Sequence, residues 1–208
     1  MRSGWATALR FAIPAVATFL LIHLPLLLRN FDAVYAFYHQ EINKQTGYGS
    51  LWYLVSLFGL QLRDTGSLAF AILVLALCVF IAWLYVTKRR PRIGSLIAVV
   101  LFAAALLGPA YPPQTGLWLV VALILSRPFR TELIALTVVE VGHYLAIWGW
   151  LGGALTISQS GPYLLYWLAI ILRSGVHAWI VVESIRDIRD PLHDRLKTPE
   201  VPDPSAGC

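Results

Sequence analysis

The sequence predicts an all-α integral membrane protein with about six transmembrane helices and an external amphipathic or re-entrant segment. Three observations carry that expectation. Of the 208 residues, 58% are hydrophobic and 13% charged, with a mean hydropathy of +0.70, whereas soluble domains run near a quarter charged. Apolar stretches recur at lengths matched to roughly 30 Å of hydrocarbon. Basic residues collect in alternate short loops, the mark of cytoplasmic connections. The 16 Lys+Arg against 11 Asp+Glu, a net +5, are therefore read as orientation, and no nucleic-acid partner is needed.

The first apolar run, Phe11 to Leu28, follows Arg2 and Arg10. It is long for a signal-peptide core, has no small-x-small cleavage pattern after it and stops at Arg29, so it reads as a retained span with a kink at Pro25. Further spans are expected at Leu68 to Val86, Ile93 to Leu107, Leu117 to Leu125, Leu133 to Leu151 and Tyr163 to Ile185. The Leu117 run is too short alone. It suffices if the preceding Tyr111-Pro112-Pro113-Gln114 dips into the membrane, where irregular backbone is tolerated when protein or water surrounds it.

Lys88, Arg89, Arg90 and Arg92 fill one loop, Arg127 and Arg130 another, and Arg186, Arg189, Arg195 and Lys197 the tail. The alternate loops, Gly108 to Gly116 and Gly152 to Pro162, carry no charge. With Arg2 and Arg10 also inside, twelve of the sixteen basic residues are cytoplasmic, Arg29, Lys44 and Arg63 are external, and Arg173 lies within a span. Leu51 to Leu62 is short for a crossing and long for a loop. A crossing there would place Arg2 and Arg10 outside, so it is read as interfacial or re-entrant, leaving both termini cytoplasmic in a multi-pass protein of the cell membrane. Residues 1–197 form one transmembrane helical domain, and the Pro-rich 198–208 tail reads as disordered. Cys78 and Cys208 supply neither a disulfide framework nor a metal site, and there is no internal repeat, P-loop or dinucleotide fingerprint.

Three places can carry chemistry. In the external Arg29 to Ser67 segment, Asn30 is a plausible helix cap, and Phe31, Val34, Tyr35, Tyr38 and Ile42 share one helical face up to about Gly47, with Asp32, His39, Gln40, Glu41, Asn43 and Lys44 on the others. Such a helix is either a surface-lying connector or one wall of a cleft that admits a lipid-linked substrate. Second, Glu140 and Arg173 sit about 15 to 18 Å deep on neighbouring spans at about 1.5 Å per residue, where ionisable groups are expensive. They can meet, with His143 and His177 one turn away, and a structural pair locking two helices is the favoured reading. A proton-coupled transporter is disfavoured, because Leu68–Val86 and Ile93–Leu107 offer no acidic or amide partner. Third, Gly108 to Trp118 holds two adjacent prolines with Tyr111 and Gln114, which is either a tight turn or a polar outer site.

The Phe37-Tyr38 helix leading into Gly49-Ser50-Leu51-Trp52-Tyr53, Pro113-Gln114 with Leu117-Trp118 beyond, the Glu140 and Arg173 helices, and the ending Arg186-Asp-Ile-Arg-Asp-Pro-Leu-His-Asp194 occur in this order. Together, from about residue 10 to 197, the chain resembles the carboxy-terminal half of the actinobacterial polyprenyl-phosphate-mannose-dependent membrane mannosyltransferases, glycosyltransferase family 87 of the GT-C type. The resemblance implies a many-helix membrane fold, a sugar donor on polyprenyl phosphate, and transfer on the external face without nucleotide sugar. It also implies that the catalytic carboxylate lies in an amino-terminal half that this sequence does not match, so an amino-terminal-half polypeptide is an expected partner beside the lipid donor and the bilayer. Gly47 stands where relatives look acidic, and Lys44 where a basic residue is expected. On this reading His39, Asn43, Tyr48, Ser50 and Gln114 contact donor or acceptor, Glu140 and Arg173 are structural, and no catalytic residue, metal or cofactor is assigned. The rival expectation is a non-enzymatic membrane subunit or truncated remnant.

Overall fold

The computed structural model of the chain describes residues 2–43, 45–60, 64–89, 91–156 and 161–190. Lys44, Arg63, Arg90, Arg195, Lys197, the 191–194 end of the closing motif and the 198–208 tail lie outside the described residues. Every regular element among them is an α-helix: α1 (Arg2–Arg29), α2 (Phe31–Ile42), α3 (Leu51–Leu57), α4 (Thr65–Val86), α5 (Ile93–Leu107), α6 (Thr115–Ser126), α7 (Arg130–Leu151) and α8 (Tyr163–Arg189). Four are long and apolar enough to cross a membrane, at Ala12–Arg29, Thr65–Val86, Arg130–Leu151 and Tyr163–Arg189. The apolar α5 and α6, at 15 and 12 residues, reach only about 22 and 18 Å.

The chain divides into two compact units, residues 1–43 and 44–208. In the first, α1 is a single helix with Pro14 and Pro25 inside it, so Pro25 does not end the span. Asn30 does: its N–H closes the last turn on the Leu26 carbonyl at 2.9 Å, while its side-chain oxygen accepts the Ala33 N–H at 3.0 Å and starts α2. Tyr38 donates its hydroxyl to His23 Nε2 at 2.5 Å. That leaves Nδ1 to carry the imidazole proton, which it donates to the Phe19 carbonyl at 2.9 Å. The helix expected to run to Gly47 stops at Ile42, because the backbone N–H and side-chain amide of Asn43 both bond the His39 carbonyl, at 3.0 and 2.9 Å, and close the turn.

In the second unit α5 packs on α8 and α6, α7 packs on α8 and α6, α4 lies on α5, and α3 lies on α8. One core cluster joins Ala98, Phe102 and Ala105 of α5, Leu119, Ala122 and Leu123 of α6, Leu136 of α7 and Ile180 of α8. Another joins Leu54, Ala146, Ile147, Tyr166 and Ile170. Alanines at these crossings let the helix backbones approach closely, as small residues do in membranes. Large apolar side chains such as Leu75, Leu117, Val138 and Leu145 point outward, where they suit lipid tails. Among the described residues 51–60 of the Leu51–Leu62 segment, the helix is the seven-residue α3, which ends at Phe58 with Gly59 at φ +83, the left-handed backbone that stops helices.

Candidate functional site

Two connectors meet at one end of this bundle. The Gly47 N–H donates to the Pro109 carbonyl at 2.8 Å and the Tyr111 N–H to the Tyr48 carbonyl at 3.2 Å, so the 47–48 and 109–111 backbones pair. Gly49 then docks onto α8, its N–H donating to the Tyr166 hydroxyl oxygen at 2.9 Å and its carbonyl accepting from Arg173 Nη2 at 2.5 Å. Trp52 Nε1 donates to the Leu107 carbonyl at 2.8 Å and Trp150 Nε1 to the Tyr53 hydroxyl oxygen at 3.2 Å. Burial pushes the Tyr53 hydroxyl above its ordinary pKa. Gly49 has φ +77 and a Cβ there would stand 2.7 Å from His143 Nε2. Gly49→Ala is therefore expected to lose about 1–3 kcal/mol through strain and displaced packing. Gly59→Ala, at φ +83 but with nothing within 4 Å of its Cβ, is expected to lose less; thermal unfolding in detergent checks the order.

Beneath the connectors lies a buried cluster. The Arg173 guanidinium carbon stacks 3.6 Å from the centroid of the Tyr111 ring, and its Nη1 lies 3.3 Å from His143 Nε2. A guanidinium only donates, so His143 Nε2 accepts and its proton sits on Nδ1. Glu140 Oε1 accepts the Tyr111 hydroxyl at 2.9 Å and His177 Nε2 at 2.7 Å. A direct Glu140–Arg173 ion pair is replaced by this indirect link, with Tyr111 placed between the two charges as hydrogen-bond donor and aromatic platform at once. Tyr111→Phe removes one of the two donors on Glu140 Oε1 and is expected to cost about 1–3 kcal/mol in thermal unfolding.

The other end of α6, α7 and α8 holds a second polar centre. Arg127 bonds Asp187 and the Glu183 carbonyl (3.2 Å) through Nη1, and Glu132 Oε1 (3.2 Å) through Nη2, with Glu183 Oε2 at 3.7 Å. Arg186 joins Glu183 at 2.5 Å. Arg127 is 5% exposed. Burial alone would lower its pKa, but the hydrogen bonds and charges of Asp187 and Glu132 outweigh it and raise the value. The sequence reading placed Arg127 in a loop as an orientation charge; the structure makes it a buried hub. The available signal was the Glu183–Asp187 spacing, which puts both carboxylates on one helical face.

The five expected contact residues separate. His39, exposed and with its ring centroid 5.5 Å from that of Tyr35, and Asn43, the α2 cap, belong to the first unit. In the second, Ser50 is 1% exposed and caps α3: its hydroxyl accepts the Tyr53 N–H at 3.0 Å and donates to the Gly47 carbonyl at 2.9 Å. It therefore positions the turn and presents no contact surface. Tyr48 is about half exposed, its ring edge-on to Tyr53 at 5.1 Å. Gln114 is exposed at the start of α6, and its side chain makes no cap hydrogen bond. Gln114 also lines a groove of about 510 Å³ with Pro113, Leu117, Val120, Glu140 and Trp148. A second groove, about 430 Å³, lies between α7 and α8 along Val138, Gly142, Leu165 and Leu168. No cluster among the described residues suits a metal ion. Comparisons with family models, curated proteins and solved structures find no match.

Proposed function

We propose that the chain is a mannosyltransferase-like module of the GT-C type in the cell membrane, taking a sugar from a polyprenyl-phosphate donor on the external face. In this reading both termini are cytoplasmic, and α5 and α6 complete six crossings with the 108–114 connector. One observation carries the proposal: the Gly49–Tyr53 motif, the Pro113–Gln114 connector and the Glu140 and Arg173 helices, far apart in sequence, converge on one centre through Gly49, Tyr111 and Arg173. That convergence leaves Tyr48 and Gln114 outward, where a hydroxyl and an amide can donate to a leaving phosphate. The reacting carboxylate is assigned to an amino-terminal-half partner.

The test is transfer from radiolabelled polyprenyl-phosphate mannose in membranes carrying this chain, alone and co-expressed with such a partner. Partner-dependent transfer, reduced by Gln114→Ala, is the expected result. No transfer under either condition, with no crosslinking of a photoreactive donor to the chain, would overturn the proposal.

A further inference from the structure

We infer that the groove between α6 and α7 is a binding site for a single-chain lipid alcohol, whose hydroxyl donates to Glu140 Oε2 while its chain lies along Leu117, Val120 and Val141. The inference goes beyond sugar transfer and does not depend on it.

The two oxygens of Glu140 differ. Oε1 takes both donors, Tyr111 and His177. Oε2 has no hydrogen-bond partner among the described residues, and it faces Gly116, where a Cβ would stand only 2.7 Å away. Gly116 and Glu140 both line the groove, and the Glu140 side chain keeps 12% of its surface exposed. A carboxylate on the wall of a mostly apolar groove, with one oxygen free of hydrogen bonds, calls for a donor.

Charge selects the kind of donor. The Glu140 carboxylate is already balanced by Arg173, with Tyr111 between them. An ammonium headgroup would add an uncompensated positive charge in a low-dielectric place, and a phosphate or carboxylate would face Glu140 with like charge. A hydroxyl supplies the missing donor and adds no charge. The remaining walls are mostly apolar, Leu117, Val120 and Val141 among them, which suits a hydrocarbon chain. A volume of about 510 Å³ is in the range of one compact ligand, so one chain fits better than a two-chain phospholipid.

The experiment uses the full chain in nanodiscs with diazirine-bearing hexadecanol, and the matched hexadecanoic acid and hexadecylamine as comparators. The alcohol is expected to label α6 and α7 peptides several-fold more than either comparator, with labelling competed by plain hexadecanol. Glu140→Gln should reduce the labelling. Val141→Trp should reduce it about tenfold, a loss of about 1.4 kcal/mol in binding. Val141 is 53% exposed and outside the hydrogen-bonded cluster, so this variant decides the matter if Glu140→Gln does not fold. Equal labelling by the acid or amine, or wild-type labelling of Val141→Trp, overturns the inference. Alcohol labelling that persists where both sugar transfer and donor crosslinking fail would remove the transferase reading and leave this one standing.

Discussion

Arg127→Ala is expected to be among the most damaging single substitutions in the chain, costing about 3–5 kcal/mol, because it removes the central partner of a buried ionic group. Glu132, Glu183 and Asp187 are 6%, 8% and 5% exposed, and Arg127 bonds Asp187 and Glu132 while lying 3.7 Å from Glu183. Without it the three carboxylates lose the charge that Arg127 sets among them, so they repel one another or take up protons, and both cost stability. Arg186 cannot replace it, since it is largely exposed and engages Glu183 from outside. Arg127→Lys keeps the charge but loses the planar fork that reaches several acceptors together, so it should recover only part of the loss. Adding Glu132→Gln and Asp187→Asn to Arg127→Ala should recover more, because the stranded charges go too. Thermal unfolding in detergent measures the series. A loss below about 1 kcal/mol for Arg127→Ala would show that water reaches the cluster and that the carboxylates behave as surface groups.

The parts of this architecture visible in the sequence are those governed by local rules. Apolar length marked Leu68–Val86, Leu133–Leu151 and Tyr163–Ile185, and each falls within a helix long and apolar enough to cross a membrane, Thr65–Val86, Arg130–Leu151 and Tyr163–Arg189; the chemistry of Asn30 marked the start of α2. Depth along a helix brought Glu140 and Arg173 to one level, since rise per residue is fixed. What escaped depends on contacts between distant segments. Ser50 looked like a polar residue open to substrate, yet it caps α3, a role set by which backbone N–H groups follow it. Tyr111 looked like one side chain in a turn between prolines, and only the fold reveals it as the link between Glu140 and Arg173. Arg127 obeyed the charge pattern of a cytoplasmic loop so well that its burial beneath α8 left no trace in that pattern. The end of α2 escaped for a smaller reason: apolar periodicity runs on to Ile42, and the two hydrogen bonds from Asn43 to the His39 carbonyl leave no mark in that pattern.

Arg173→Ala is expected to cost about 3–5 kcal/mol as well, but its effect should spread differently. Arg173 is 1% exposed and holds the Gly49 carbonyl, His143 and the Tyr111 ring. Its loss leaves a buried carbonyl unpaired, deprives Glu140 of its balancing charge and opens a cavity beneath the turn. The 45–50 segment should then loosen while the far end around Arg127 stays intact. Hydrogen exchange reads this directly: the amides of Gly49, which bonds Tyr166, and Tyr111, which bonds Tyr48, should exchange much faster, and those of α8 near Asp187 should not. Arg173→Met separates packing from charge, because methionine fills much of the space without the guanidinium. Paired with Glu140→Gln, which removes the charge that Arg173 balances, it should recover a large share of the stability. The exchange at Gly49 should nevertheless stay fast, since no methionine can bond its carbonyl. If the double variant restores slow exchange at Gly49, the turn is held by the Tyr48–Tyr111 backbone pairing and Arg173 serves the charge balance alone.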